Sequence, residues 1–187
     1  MSLSKASMSQ INEELEKIAA AKGVIFDLRG YPNSNHQVIS HLLSEPDTSN
    51  QWFKTPKYIY PDQKKLLGYK KSGWKLEPAK PHIQGKVVFL TDARAVSYAE
   101  AFLSFIAHYD LAEIVGQPTG GVNGVTNALR LPGGYSTTWT GQKVVKLDGS
   151  QHHMIGIQPT VPVRKTIEGV RNGRDEFLEK ALEIVRQ

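Results

Sequence analysis

The sequence of 187 residues contains no cysteine. Disulfide bonds, thiolate nucleophiles and cysteine-based zinc or iron centres are therefore excluded. The sequence also lacks any apolar run close to the roughly 20 residues that a membrane-spanning helix needs, so we predict no membrane span. The rest of the composition is ordinary for a folded protein, with 40% hydrophobic and 22% charged residues. Its length predicts a single domain over residues 1–187.

Positive charge is concentrated between Lys54 and Lys86, a stretch that contains nine lysines and no arginine. Aromatic residues are interleaved with the lysines, a combination that can bind single-stranded nucleic acid. Solvated lysine-rich loops without arginine are common, however, so we expect no nucleic-acid partner. Prolines interrupt the pattern repeatedly from 45 to 84, and we predict that this segment is an irregular insertion.

Outside that segment, short apolar runs alternate with amphipathic segments. The apolar runs predict buried parallel strands at 24–28, 86–92 and 112–115. Helical spacing of apolar residues predicts helices at 9–21, 36–43, 97–109 and 174–186. This alternation predicts an α/β fold with a largely parallel sheet.

Two details of this pattern predict specific contacts. Ser9 is expected to cap the first helix, and the last helix should bury Leu178, Leu182 and Val185. Between 128 and 147, alternating apolar residues separated by glycine pairs or Thr-Gly turns are typical of β-hairpins.

Ser97 has a favourable position for a nucleophile. It follows the predicted strand at 86–92 and begins the next helix, where free N–H groups and the helix dipole would stabilise developing negative charge. A serine at this position is also a common N-cap, and Glu100 could complete a capping box. The residues alone leave both interpretations open.

Four segments resemble motifs of the S41 family of serine peptidases, the tail-specific or C-terminal processing peptidases. They occur in the family's order and are GVIFDLRGYP (23–32), VVFLTDARAVSYAE (87–100), VGQPTGG (115–121) and GIQPTVPV (156–163). The resemblance implies a catalytic domain with a ClpP/crotonase-like sheet, packed helices and β-hairpins in the C-terminal half. It also implies Ser97 as the nucleophile, a polypeptide substrate, and a periplasmic or other extracytoplasmic location.

The resemblance further implies where a substrate would bind. We expect the oxyanion to be held by backbone N–H groups of Tyr98, Gly30 and Asn33. Thr119 and Gly120 in the third motif are expected to contact substrate. From the residues themselves, the β-prone aromatics of the insertion, Tyr58 and Tyr60 among them, are expected either to contact an extended substrate or to pack on the far side of the sheet or on a missing upstream domain. We expect neither a cofactor nor a metal ion.

The general base is where the sequence departs from the family. The processing peptidases use a lysine about two dozen residues after the serine, but this chain has no lysine between Lys86 and Lys143. Other branches, similar to the tricorn peptidase, use a histidine from a preceding segment of chain. Such a histidine would lie before Met1, so we expect this sequence to be a fragment that lacks an N-terminal domain.

Within the chain, His152 and His153 are candidate bases because each follows closely on Asp148, a carboxylate able to orient an imidazole. Neighbouring side chains of an extended segment point to opposite faces, so at most one of the two can face Ser97.

Further departures favour an alternative function. Gln158 and Thr160 replace the acidic residue of the fourth motif, and residues 31–34 lack the family's glycines. The alternative is a non-catalytic module of the same fold that binds a peptide or a glycan. An acyl-CoA enzyme of the crotonase type would share the fold but has no motif support.

Overall fold

The computed structural model describes residues 1–49, 51–62 and 64–187. The α-helices of this part of the chain are α1 (Met8–Glu13), α2 (Leu15–Ala20), α3 (Tyr98–His108), α4 (Ile167–Arg171) and α5 (Glu176–Val185). The strands are β1 (Gly23–Asp27), β2 (Phe53–Tyr58), β3 (Leu66–Ser72), β4 (Lys86–Thr91), β5 (Glu113–Gly116), β6 (Thr126–Arg130), β7 (Ser136–Thr140), β8 (Lys143–Val144) and β9 (Val161–Pro162). A 3-10 helix covers His36–His41.

The central sheet has four parallel strands in the order β1–β4–β5–β9. Its inner strands are almost continuously apolar, because helices and loops cover both faces of the sheet. The predicted parallel α/β fold is therefore confirmed. Since parallel strands end at the same edge, the loops that follow β1, β4 and β5 come together there.

One face of the sheet is covered by α5, whose Phe177, Ala181 and Ile184 pack against Val88 and Leu90 of β4. Burying a side chain the size of phenylalanine contributes about 2 kcal/mol or more. The prediction that Leu178, Leu182 and Val185 form the inner face is wrong by one residue. Both stripes have the same helical spacing, and the sheet selects the one that contains the large Phe177 ring.

The opposite face of the sheet packs on α3. The ring of Phe89 stacks on Phe26 at 5.2 Å between centroids and contacts Phe102 of α3 at 5.6 Å. These three rings are fully buried. The first half of α3 is therefore held firmly against β4, the strand that precedes Ser97.

The N-terminal helix differs from the prediction. It is divided at Glu14 into α1 and α2, and Ser7 rather than Ser9 caps it, in a capping box with Gln10. Ser7 is the residue with extended backbone, which an N-cap requires, whereas Ser9 lies inside the first turn.

The segment from 45 to 84 is more regular than predicted. Strands β2 and β3 form an antiparallel hairpin, and β8 joins them in a three-stranded sheet. Strand β2 tolerates its proline, Pro56, because among the described residues the strand pairs at this position only with β3 and its other edge is unpaired. Strands β6 and β7 form the predicted hairpin by themselves. Among the residues described, no helix is long and apolar enough to cross a membrane.

Candidate active site

Ser97 lies at the turn between β4 and α3, as predicted, and its side chain is half-buried. Its backbone has φ 54° and ψ −110°, a combination that residues with a Cβ rarely adopt. Such strain is retained only where the surrounding structure enforces it, and it is concentrated at functional positions. Nucleophilic serines on strained strand-to-helix turns have the same arrangement.

Two contacts enforce the Ser97 conformation. Its N–H lies 2.7 Å from the carbonyl oxygen of Val122 and 3.1 Å from carboxylate atom Oε2 of Glu100. The hydroxyl of Ser97 faces the Glu100 N–H in a capping box, but it donates no hydrogen bond to an acceptor among the described residues. Both halves of the capping box with Glu100 are present, so Ser97 caps α3 while its hydroxyl proton stays available to a base.

Glu100 is fully buried and joins α3 to the loop after β5. Its Oε1 accepts a hydrogen bond from the Thr119 hydroxyl at 2.6 Å and another from the Gly121 N–H at 2.7 Å. Hydrogen bonds to a buried carboxylate are strong, and leaving it unpaired would be costly. Glu100 thus fixes the position of residues 119–121 relative to Ser97.

The expectation that Thr119 and Gly120 contact substrate stays a prediction, and both residues are engaged within this turn. The Thr119 hydroxyl is buried and also accepts the N–H of Ile157. The N–H of Gly120 donates to Ala95, and a Cβ at Gly120 would lie 2.6 Å from a methyl group of Val96. Both residues are required by the packing of the turn.

His152 lies inside the core beside Glu100 and is 1% exposed. Its Nε2 is 3.3 Å from Oε2 of Glu100, without the alignment of a hydrogen bond. Burial by itself would raise the pKa of Glu100, but His152, Thr119 and the Gly121 N–H more than offset that effect, so the pKa is lowered. Glu100 is therefore ionised at neutral pH.

His153 points to the other side of the chain, as expected for neighbouring residues. It is exposed and lines a cavity of about 510 Å³ that also borders on Val122, the residue whose carbonyl holds the Ser97 N–H. Asp148 does not orient either histidine. Its carboxylate is exposed and accepts the N–H of Ser150 at 2.8 Å, because it closes a tight turn.

The loop after β1 faces the same sheet edge as Ser97. Gly30 has φ +124°, a conformation that favours glycine. Among the described residues, no acceptor is bonded to the N–H of Gly30 or to that of Tyr98 at the start of α3. The N–H of Asn33, also predicted to bind the oxyanion, donates to the Leu3 carbonyl at 2.9 Å and is therefore already engaged within the protein.

Arg29 anchors this loop to two other elements. Its guanidinium binds Asp27 at 2.7 Å and Asp175, the N-cap of α5, at 2.8 Å. Burial would raise the pKa of Asp27, but the hydrogen bonds and charge of Arg29 outweigh it and the pKa is lowered. The position of Gly30 therefore depends on an ion pair that is largely shielded from water.

A cluster of His36, Trp74 and Tyr98 lies next to Ser97, and sequence reasoning missed it. Nδ1 of His36 is 2.5 Å from the Tyr98 hydroxyl, and the imidazole stacks on Trp74 at 4.1 Å. Burial lowers the pKa of His36 and raises that of Tyr98. No local pattern could have revealed a contact between residues 62 positions apart.

The insertion therefore reaches the side of the sheet where Ser97 lies, since the rings of Trp74 and Tyr98 are 5.1 Å apart. Trp52 is buried and belongs to the core, whereas Tyr58 and Tyr60 remain exposed on the β2–β3 hairpin. In the part of the chain that is described, no group of three or more acidic or histidine side chains could hold a metal ion.

A family model described as Peptidase family S41 matches residues 1–163. The chain belongs to peptidase family S41. No curated protein matches the chain.

Solved structures support the same fold for this S41 peptidase domain. A candidate peptidase from Parabacteroides merdae is 24% identical with a TM-score of 0.76, over 98% of this chain and 58% of that one. The photosystem II D1 C-terminal processing protease is 14% identical with a TM-score of 0.63, over 100% and 45% of the two chains. The tricorn protease is 19% identical with a TM-score of 0.64, over 98% of this chain and 17% of the tricorn chain. This S41 chain spans little more than half of the first of these and less of the others.

Proposed function

We propose that residues 1–187 form the catalytic domain of a serine-type endopeptidase with Ser97 as its nucleophile. The observation that carries the proposal is the strained backbone of Ser97, which places its hydroxyl at the end of a buried parallel strand with no acceptor for its proton among the described residues. An N-cap normally has extended backbone, so a capping role alone does not require the positive φ of Ser97. The geometry instead suits attack on a carbonyl group.

The reaction would proceed through an acyl-enzyme. The Ser97 oxygen attacks the scissile carbonyl carbon while a base takes the hydroxyl proton, and the carbonyl oxygen becomes an oxyanion. The N–H groups of Tyr98 and Gly30 are free to bind this oxyanion. Collapse of the intermediate expels the amine, which receives the proton, and water then hydrolyses the ester to release the acid and restore Ser97.

His153 is the better of the two internal candidates for the base. It lines the cavity beside Val122 and is open to solvent, whereas His152 is enclosed next to Glu100. We regard His152 as a positioning residue that helps to hold the carboxylate under Ser97. If His153 is not the base, a histidine from outside residues 1–187 supplies this group, as the tricorn-like branch implies.

The substrate would be an extended polypeptide. Tyr58 and Tyr60 offer exposed rings on the β2–β3 hairpin, and the surrounding lysines would attract a carboxylate such as a free C-terminus. An extracytoplasmic location rests on the family resemblance and stays a prediction.

A second candidate is a non-catalytic peptide-binding module. The observation in its favour is that, among the described residues, no base accepts a hydrogen bond from the Ser97 hydroxyl. Catalytic hydrogen bonds often form only when substrate is bound, so this geometry does not decide between the two functions.

Cleavage of an unfolded protein such as reduced casein separates the candidates. We expect cleavage by the wild-type protein and none by Ser97→Ala. Loss of cleavage in His153→Ala but not in His152→Asn would identify an internal base. If His153→Ala still cleaves casein, the base lies elsewhere. Cleavage by Ser97→Ala at the wild-type rate would contradict the proposal. Binding of the substrate without any cleavage would support the second candidate.

A further inference from the structure

Two adjoining cavities, together called the groove, lie on the side of Val122, the residue that binds the Ser97 N–H. The first, of about 510 Å³, begins at Val122, whose carbonyl accepts the Ser97 N–H. The second, of about 470 Å³, lies between the β2–β3 and β6–β7 hairpins. Thr140, Gln142 and Lys143 line both cavities, so the two adjoin each other.

The far end of the groove is aromatic. It is lined by Tyr58, Tyr69 and Trp139, whose side chains are exposed rather than packed in the core. Three large aromatic rings in one exposed groove are unusual on a protein surface, and such exposed apolar patches often mark a binding site. Aromatic rings bury large areas at low entropic cost when a partner ring packs on them.

The β6–β7 hairpin supports the same conclusion. All ten residues of its two strands are exposed, and the hairpin pairs with no other strand among the described residues. A two-stranded ribbon without a packed face is marginally stable in water. An occupant that covered Trp139 would bury apolar surface that the hairpin leaves open.

The charge of the groove has one sign. Lys143 lies where the two cavities meet and His153 lies nearer to Val122, while no carboxylate of the described residues lines either cavity. A lysine in such a setting attracts an acidic group and repels a basic one.

We propose that this groove binds the substrate polypeptide at a distance from the scissile bond, with an acidic side chain at Lys143 and an aromatic side chain among Tyr58, Tyr69 and Trp139. The proposal deepens the proposed peptidase function and rests on it for the identity of the occupant. The order of the lining residues places the acidic residue between the scissile bond and the aromatic residue. Substrates with both features, in that order, are the preferred class.

Binding is measured with the Ser97→Ala protein, so that no turnover intervenes. The probes are fluorescein-labelled extended peptides that carry a glutamate followed by a phenylalanine, and matched peptides with glutamine or alanine at these positions. We expect each single replacement to weaken binding by about tenfold, as measured by fluorescence anisotropy. Intrinsic fluorescence should change on binding and should do so much less in the Trp139→Phe variant.

Variants assign the two contacts. Trp139→Ala should remove the preference for phenylalanine, and Lys143→Gln should remove the preference for glutamate. Tyr135→Ala is the matched control, because Tyr135 is an exposed ring on the same hairpin that lines neither cavity. The control should bind like the parent protein.

Equal binding of all peptides, or preferences unchanged by Trp139→Ala and Lys143→Gln, would overturn the groove proposal while leaving Ser97 chemistry untouched. The converse result is selective binding by a protein whose Ser97 is chemically inert. That result would support the groove and contradict the peptidase function.

Discussion

The carboxylate of Glu100 accepts a hydrogen bond from the backbone N–H of Ser97, with 3.1 Å between Oε2 and N. Glu100 is fully buried, so the conformation of the proposed nucleophile is set from inside the core. The same carboxylate holds Thr119 and Gly121 and lies beside His152. The residue three positions after Ser97 thus does more than cap a helix.

The Glu100→Gln variant is expected to lose about 2–4 kcal/mol of unfolding free energy. An amide has one acceptor oxygen, so its NH₂ group would face a buried N–H or hydroxyl donor and leave it unsatisfied. Urea unfolding at pH 7 measures the loss. Glu183→Gln is the control, since Glu183 forms an exposed pair with Lys180 on α5 and should contribute less than about 1 kcal/mol. Equal effects of the two changes would contradict the account of Glu100.

Lowering the pH should reduce the difference in unfolding free energy between the wild type and Glu100→Gln. The pKa of Glu100 is lowered in the folded protein, so the unfolded chain takes up the proton first as the pH falls. Stability from the ionised carboxylate is fully present above about pH 4.5 and is lost as the pH falls through the folded pKa. Urea unfolding at a series of pH values between 7 and 3 tests this. A difference in unfolding free energy that stays constant or grows as the pH falls would show that ionisation of Glu100 does not stabilise the fold.

At Ser97 the usual effect of glycine should be reversed. The positive φ of Ser97 is strained for any residue with a Cβ, so Ser97→Gly should be about 1 kcal/mol more stable than Ser97→Ala. At Ala107, an exposed position in α3, the ordinary order should hold and Ala107→Gly should destabilise by about 1 kcal/mol. Both comparisons use thermal or urea unfolding. If Ser97→Ala is the more stable variant, the turn is not strained.

Gly30→Ala should slow acylation of Ser97 as well as destabilise the fold. Gly30 and Gly173 both have positive φ and both have open space where a Cβ would lie, so each substitution should cost about 1–2 kcal/mol through strain alone. Gly173 lies outside the site. Only Gly30→Ala should lower the rate at which a fluorophosphonate reacts with Ser97, because relief of the strain at position 30 would displace the N–H that is proposed to bind the oxyanion. Equal labelling rates for the two variants would remove Gly30 from the oxyanion site.

Local patterns were sufficient to predict three of the four strands of the central sheet and the position of Ser97. The apolar runs of β1, β4 and β5 are short, buried and bounded by polar turns, and a serine between such a strand and a helix has few possible placements. The face of α5 was misassigned because two adjacent stripes, one with Phe177 and one with Leu178, fit the same period. Only the packed sheet distinguishes them.

The contacts within the site depended on tertiary structure. The contact of His36 with Tyr98 and the engagement of the Asn33 N–H by Leu3 join residues that are distant in sequence. Sequence spacing gave no information on which of the two adjacent histidines is buried. That choice follows from the buried charge of Glu100, which the His152 ring accompanies into the core.

Fluorophosphonate labelling followed by peptide mapping tests the central claim most directly. The reagent phosphonylates a serine oxygen that is activated as a nucleophile and displaces fluoride. We predict one adduct per chain, located on Ser97, and no adduct in the Ser97→Ala variant under the same conditions. An unlabelled wild-type protein, or an adduct that persists in Ser97→Ala, would contradict the assignment of Ser97 as the nucleophile.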